Sequence, residues 1–474
     1  MSDRPNLLLF LPETVRADAV YGPSQTRAMT PNLDRFRSEG VTFTHAHAQM
    51  AYCTPSRCSM FTGLYPHTHG HRSIWHLLQP GERNLFQDLK EAGYRNVVFG
   101  KNDVLAPDFT PECFDEWGTR VAPDPSSVRI VPSPTSERLN SAMYHGLREG
   151  ACHDGDWARI ESALQFLDED HDQPWCLFLP LSFAHPWYAV EEPYFSMHDR
   201  DALPAPIPPV RGSSRRAYRR LYQDFAFPSG VDEADCREIK AVYLGMVSRV
   251  DAQFGQILDR LSERGLDGDT IVVALSDHGD YAGDYGMVEK CPYGFEDCLL
   301  RVPLVFRVPG AGPREIDDLC EMNDLYATLM DLVGLEPGHH QLGRSLVPAI
   351  TGEAATGRDA VFAEGGRLLG EEHWGIEGLA PENWYAKRRD IVSQNPDVSL
   401  SRCATIRTRD FAYTYCTHDV DELFDLRRDP HGVINVASDA QYRDVRDHLH
   451  ERLLTWMLET SDTLPLSQGS RHWP

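Results

Sequence analysis

The chain has 474 residues, of which 46 are Lys or Arg and 71 are Asp or Glu, a formal net charge of −25 at pH 7. That balance argues against a general binder of nucleic acid or of an anionic membrane, since both attract basic patches. Hydrophobic residues at 41% and aromatic residues at 10% can build a substantial core, which excludes global disorder.

The polar start, Met1 to Asn6, runs straight into Leu7-Leu8-Leu9-Phe10-Leu11, with no basic leader segment or long apolar run. It reads as a first buried strand and not a secretory signal, so a cytoplasmic location is expected. No stretch approaches the roughly 20 apolar residues of a membrane span, and no membrane partner is expected. Thr30-Pro31 opens a short helix, with Thr30 as N-cap. Asn84 to Ala92 is helical and stops at Gly93; Asn96 to Phe99 is a strand; Trp157 to Leu167 is an amphipathic helix. Cys176 to Phe183 is a nearly continuous apolar run, the pattern of a strand buried on both faces. Ala189 to Gly230, rich in Pro, Arg and Tyr, reads as a long excursion that shapes access to a site. Ile239 to Arg264 is a long helix and Thr270 to Leu275 another buried strand.

Strands alternating with helices predict an α/β fold with a doubly wound, mostly parallel sheet. Ile350 to Arg358 is the best boundary, giving a catalytic domain over 1–355 and a smaller α+β subdomain over 356–474. In the latter, Ala404 to Tyr415 and Glu422 to Leu426 read as strands and Tyr442 to Leu458 as a final helix. The 11 Cys include no C-x-x-C pair, so neither a disulfide framework nor a structural zinc site is indicated.

In such a sheet, ligands bind beyond the carboxyl ends of the strands. Four polar clusters fall at such ends: Glu13 to Asp18, Gly100 to Asp103, His185, and Ser276-Asp277-His278-Gly279-Asp280. One alone would be a capped loop; four together indicate an active site.

The segment Tyr52-Cys53-Thr54-Pro55-Ser56-Arg57-Cys58-Ser59-Met60-Phe61-Thr62-Gly63 resembles the signature of the type I sulfatases of the alkaline phosphatase superfamily. The likeness continues through Ser276 to Gly286, Lys290, Arg301-Val302-Pro303-Leu304, Asn323 to Leu329 and Glu422-Leu423-Phe424-Asp425-Leu426. It implies that Cys53 is oxidised after translation to formylglycine, which requires a formylglycine-generating enzyme as a maturation partner. The hydrated aldehyde attacks sulfur through one hydroxyl, and the second hydroxyl then expels sulfate. The resemblance implies one divalent cation held by Glu13, the residue at 53, Asp277 and His278. Their hard oxygens favour Ca2+, with Mn2+ and Mg2+ as alternatives. Arg57, Lys101 and Lys290 would offset negative charge on the transferring group.

Departures from the family pattern bear on the substrate. Glu13 stands where the family has Asp, often in an Asp-Asp pair, with Asp18 as the fallback ligand. Asp103 replaces a His two residues after Lys101. Trp187 stands where a second His follows Pro, leaving His185 as the leaving-group acid only if the loop is shifted. His76 lies where related hydrolases carry a polar substrate contact. The expected reaction is hydrolysis of a small-molecule sulfate ester. The alternative is a phosphonate monoester or phosphodiester hydrolase with the same nucleophile. A non-catalytic binding protein on this fold fits poorly with intact Cys53, Arg57, Asp277, His278 and Lys290. A homo-oligomer is compatible with the sequence.

Overall fold

The computed structural model describes residues 4–210, 215–226, 231–291, 293–368, 385–387 and 401–463. Its centre is an eight-stranded sheet. The order across it is Arg314–Glu321, Val41–His47, Arg301–Arg307, Thr270–Leu275, Asn6–Leu11, Trp175–Pro180, Arg95–Val98 and Glu116–Trp117. All neighbours are parallel except around Arg301–Arg307, which runs against both of its partners. Asn6–Leu11 lies between Thr270–Leu275 and Trp175–Pro180, and the near-continuous apolar character of all three follows from helices covering both faces.

On one face the long helix Glu233–Glu263 packs with Pro31–Glu39 and Gly155–Leu167, where Phe254 meets Phe10 and Phe36. On the other, Cys53–Thr62 packs with Leu85–Glu91 and Asp324–Leu332, and Phe61 contacts Phe86 and Phe178. The doubly wound α/β architecture is therefore as the strand–helix alternation predicted. Among the described residues, no helix is long and apolar enough to cross a membrane.

A second, antiparallel sheet is formed by Ala360–Gly365, Cys403–Thr408, Phe411–Cys416 and Glu422–Asp425. The helix Arg443–Thr460 covers it, with Leu449, Leu453 and Trp456 packed in a cluster with Ile406, Tyr413 and Leu423. The stretch Ala404 to Tyr415 is not one strand but two: the chain reverses at Arg409-Asp410. The polar run Arg407-Thr408-Arg409-Asp410 breaks the alternation there, and the turn sits in it.

The described part of the Ala189 to Gly230 excursion does more than shape access. Its helix Ala217–Ala226 places the Tyr222 hydroxyl on the carbonyls of Val288 and Lys290, at 3.1 Å each, and Gln223 Nε2 on Tyr285 O at 2.9 Å. It thus supports the loop that carries Lys290. Residues 211–214 and 227–230 of that excursion lie outside the described residues.

Candidate active site

Four loops at the carboxyl edge of the parallel strands converge on the N-terminus of the helix Cys53–Thr62. Glu13 follows Asn6–Leu11, Asp277 and His278 follow Thr270–Leu275, Lys101 follows Arg95–Val98, and His185 follows Trp175–Pro180. The approach of these loops is close. A Cβ at Gly100 would stand 2.1 Å from the carbonyl oxygen of Pro180, the same oxygen that accepts the Lys101 N–H at 3.0 Å, so glycine is needed there.

Cys53, Glu13, Asp277 and His278 are all buried, and each offers a donor atom within 4.8 Å of the others. Cys53 Sγ lies 2.9 Å from Glu13 Oε1 and 3.4 Å from His278 Nε2. His278 Nδ1 faces the carbonyl of Gly279 at 2.9 Å; a carbonyl only accepts, so Nδ1 carries the proton and Nε2 turns its lone pair to the cluster. Burial keeps the His278 pKa below its ordinary value although Asp277 opposes the shift. Asp277 Oδ1 accepts the N–H groups of Thr14 and His278, and Oδ2 accepts Arg57 Nε at 2.9 Å. Two carboxylates and an imidazole lone pair beside position 53 form a donor set that fits a divalent cation.

Cationic side chains surround this set. Lys101 Nζ donates to both Glu13 oxygens, at 2.9 and 3.0 Å, and lies 2.9 Å from Asp103. Arg57, with no exposed surface, also has guanidinium nitrogens 3.9 Å from Glu13 and 3.8 Å from Asp103. Burial alone would raise the Glu13 pKa, but Lys101, His185, Arg57 and Lys290 outweigh it and hold Glu13 well below the usual range. Burial, reinforced by Glu13, pushes the Cys53 thiol well up, so an unmodified Cys53 is a protonated thiol at neutral pH.

Lys290 Nζ lies 2.6 Å from His185 Nε2 and 2.9 Å from Glu289 Oε1. His185 does reach the site: Nε2 is 3.9 Å from Glu13 Oε1. A cavity of about 400 Å3 opens above, lined by Glu13, Lys101, Arg148, His185 and Trp187 among others. One face of the Trp187 indole stacks on His145 at 4.3 Å. Two expected positions stay apart. Asp18 pairs with Arg16 at 2.5 Å and is not in the donor cluster, because the buried Arg16 guanidinium claims it. His76 is exposed and not part of the cavity lining.

Sequence reasoning missed Glu289, Arg148 and Tyr385, whose hydroxyl lies 3.5 Å from His185 Nε2. Glu289, next to Lys290, could have been suspected as its counter-charge; Arg148 and Tyr385 carry no local signal.

The family model described as Sulfatase matches residues 5–335. The chain belongs to the sulfatase family. Within the alkaline phosphatase superfamily, that is a family of sulfuric ester hydrolases. Among its relatives, the sulfatase-family chain is 27% identical to a multifunctional alkaline phosphatase superfamily protein, PehA, of Trinickia caryophylli, with 97% of this chain and 96% of that protein covered. It is 23% identical to an arylsulfatase of Clostridium perfringens, with 95% and 94% covered. It is also similar in structure to a phosphonate monoester hydrolase of Agrobacterium radiobacter, with a TM-score of 0.78, 25% identity and 96% of each chain covered.

Proposed function

We propose that this sulfatase-family chain hydrolyses small-molecule sulfate esters at Cys53 after its oxidation to formylglycine, with one divalent cation held by Glu13, Asp277, His278 and the modified residue. The observation that carries the reading is the buried four-donor cluster centred on Cys53 and flanked by Arg57 and Lys101. Formylglycine, as its hydrate, supplies one hydroxyl to attack sulfur and a second through which sulfate is expelled. The cation, Ca2+ first with Mn2+ or Mg2+ as alternatives, supplies Lewis acidity that favours the ionised nucleophile. A dedicated formylglycine-generating enzyme is the maturation partner this chemistry needs.

The chain's own residues do the rest. Arg57 holds Asp277 in place and keeps positive charge beside position 53. Lys101 and Lys290 face the incoming anion from two sides and offset charge on the transferring group. Lys290 holds the proton closest to His185, so it can pass one toward a departing alkoxide while His185 orients it. Trp187 offers a flat wall suited to an aromatic, sugar or quaternary-ammonium group on the alcohol side.

A second reading, phosphonate monoester or phosphodiester hydrolysis, is favoured by the likeness to the phosphonate monoester hydrolase and by a single acidic residue, Glu13 followed by Thr14, after the first strand. Parallel turnover of an aryl sulfate, a phosphodiester and a phosphonate monoester by protein with modified Cys53 tests both. Fastest kcat/KM on the sulfate supports the first reading; a clear lead for either phosphorus ester replaces it with the second.

A further inference from the structure

Beyond the Cys53 cluster, His69, His71 and Glu82 form the other group among the described residues whose donor atoms lie within 4.8 Å of one another. Its geometry is that of a ligand set. Glu82 is oriented by its own turn: Oε2 accepts the Gln79 N–H at 2.6 Å, which turns Oε1 toward the two histidines. Oε1 then lies 3.3 Å from His71 Nε2 and 4.0 Å from His69 Nδ1. His71 Nδ1 faces the carbonyl of His76 at 2.8 Å, so Nδ1 carries the ring proton and fixes the tautomer. Nε2 is then the ring atom turned to the Glu82 carboxylate, the one that can offer a lone pair to a cation. It is buried and makes no hydrogen bond of acceptable geometry. A cation placed between that nitrogen and the carboxylate oxygen would be held by both.

The spacing suits a tetrahedral ion. Ligand bonds of about 2.0–2.2 Å at tetrahedral angles put donor atoms roughly 3.3 Å apart, close to the His71–Glu82 separation. A backbone carbonyl accepting from the far nitrogen of a ligating imidazole, as His76 does for His71, is the usual arrangement. Two imidazoles and one carboxylate select a borderline transition metal over Ca2+ or Mg2+, which take oxygens.

The geometry points to a second metal site, for Zn2+ or a similar divalent transition ion, held by His69, His71 and Glu82. Its place in the fold gives it a structural task. The loop it would close runs on to Ile74, whose carbonyl accepts the hydroxyl of Thr54, next to Cys53. It then reaches Leu78, which is bridged to Leu105 shortly after Lys101 and Asp103. An ion here would pin one loop to both the nucleophile's helix and the Lys101 segment without touching substrate.

The test is Zn2+ bound per chain after equilibrium dialysis of the untagged full chain, with metal analysis and thermal unfolding in parallel. Wild type should hold a Zn2+ that Glu82→Gln and His71→Gln lose and Asp277→Asn keeps; any further Zn2+, taken up by the Cys53 cluster, should go with Asp277→Asn, and the Glu82→Gln/Asp277→Asn double variant should hold none. The Zn2+-dependent rise in Tm should persist in Asp277→Asn and vanish when Glu82→Gln is added. Because Glu82 is partly exposed, its variant should fold even if His71→Gln does not. A single ion in wild type that is lost on Asp277→Asn, or a Zn2+ content unchanged in Glu82→Gln, overturns the proposal. In that case His71 and Glu82 are an imidazolium–carboxylate pair.

Discussion

Lys290 Nζ faces the Nε2 of His185 across 2.6 Å. His185 Nδ1 lies against the carbonyl of Pro186, an acceptor, so the ring proton is on Nδ1 and Nε2 accepts from the ammonium. Burial first, and then Lys290, push the His185 pKa down to about 4. The family resemblance gives the leaving-group proton to His185; in the reading proposed above, Lys290 supplies it and His185 orients it.

The two residues should therefore separate by leaving group. Lys290→Met should slow esters of poorly acidic alcohols by about a hundredfold or more, while nitrophenyl esters, which depart without a proton, lose much less. His185→Asn, which retains an acceptor beside Lys290, should be milder on both. Comparing kcat/KM for an alkyl and a nitrophenyl sulfate checks this. A larger selective loss in His185→Asn would return the acid role to the imidazole.

Cys53→Ala should abolish multiple turnover and leave the fold intact, since Sγ touches only site residues. Cys53→Ser should also fail, lacking the second hydroxyl. Burial keeps an unmodified thiol protonated, so protein made without the modifying enzyme should be inactive as well. Modified protein should be about 18 Da lighter, one oxygen replacing one sulfur and two hydrogens. Near-native activity in the unmodified thiol form would sink this mechanism.

Asp277→Ala removes the partner of Arg57, a guanidinium with no exposed surface. Loss of one member of a buried pair costs about 3–5 kcal/mol, so denaturant unfolding should show a large drop in stability along with lost metal. Glu13→Gln keeps the shape but removes a ligand charge, and metal affinity should fall at least about tenfold. Unchanged metal content in both variants would place the cation elsewhere.

The site was legible where motif and strand end coincide. Glu13, Cys53, Arg57, Lys101, Asp277, His278 and Lys290 all meet at the carboxyl edge of one sheet, as parallel topology requires. What stayed hidden depends on tertiary contacts. Nothing local in Arg16-Ala17-Asp18 shows that Arg16 is buried and draws Asp18 away. Likewise, no local pattern ties Tyr222 to Lys290. Strand Val41–His47 carries a Val-Thr-Phe-Thr alternation, but nothing local shows that it joins the main sheet between Arg301–Arg307 and Arg314–Glu321, both far away in sequence.

Outside the Cys53 donor cluster, His198 sets an acid-side stability slope. Burial, with Arg200 nearby, lowers its pKa from 6.5 to about 4, and Nε2 lies 3.3 Å from Ser248 Oγ. Between those pH values the unfolded chain takes up the proton that the folded chain refuses. Stability therefore rises with pH from about 4 to 6.5 and flattens on either side, contributing up to ~1.4 kcal/mol per pH unit. His198→Gln should reduce the difference in unfolding free energy between pH 5 and pH 7. An unchanged difference would mean that His198 titrates normally.

Asp103 should set the charge the site accepts. Its carboxylate lies 2.9 Å from Lys101 and 3.8 Å from Arg57, so it cancels part of the positive field that meets the substrate. A sulfate monoester, phosphodiester or phosphonate monoester carries one negative charge, whereas a phosphate monoester carries up to two near neutral pH. The second charge gains less here than in a site with a cation at position 103, and singly charged esters should have the higher kcat/KM. Asp103→Asn leaves the side-chain volume in place and removes the opposing charge. It should raise phosphate monoester turnover relative to sulfate by about tenfold, ~1.4 kcal/mol, with the gain shrinking as salt is added. The measurement is kcat/KM for the four ester types with one common leaving group, in wild type and Asp103→Asn. If the phosphate monoester is already the best substrate of the wild type, or if the ratio does not move in the variant, Asp103 is not what selects the charge.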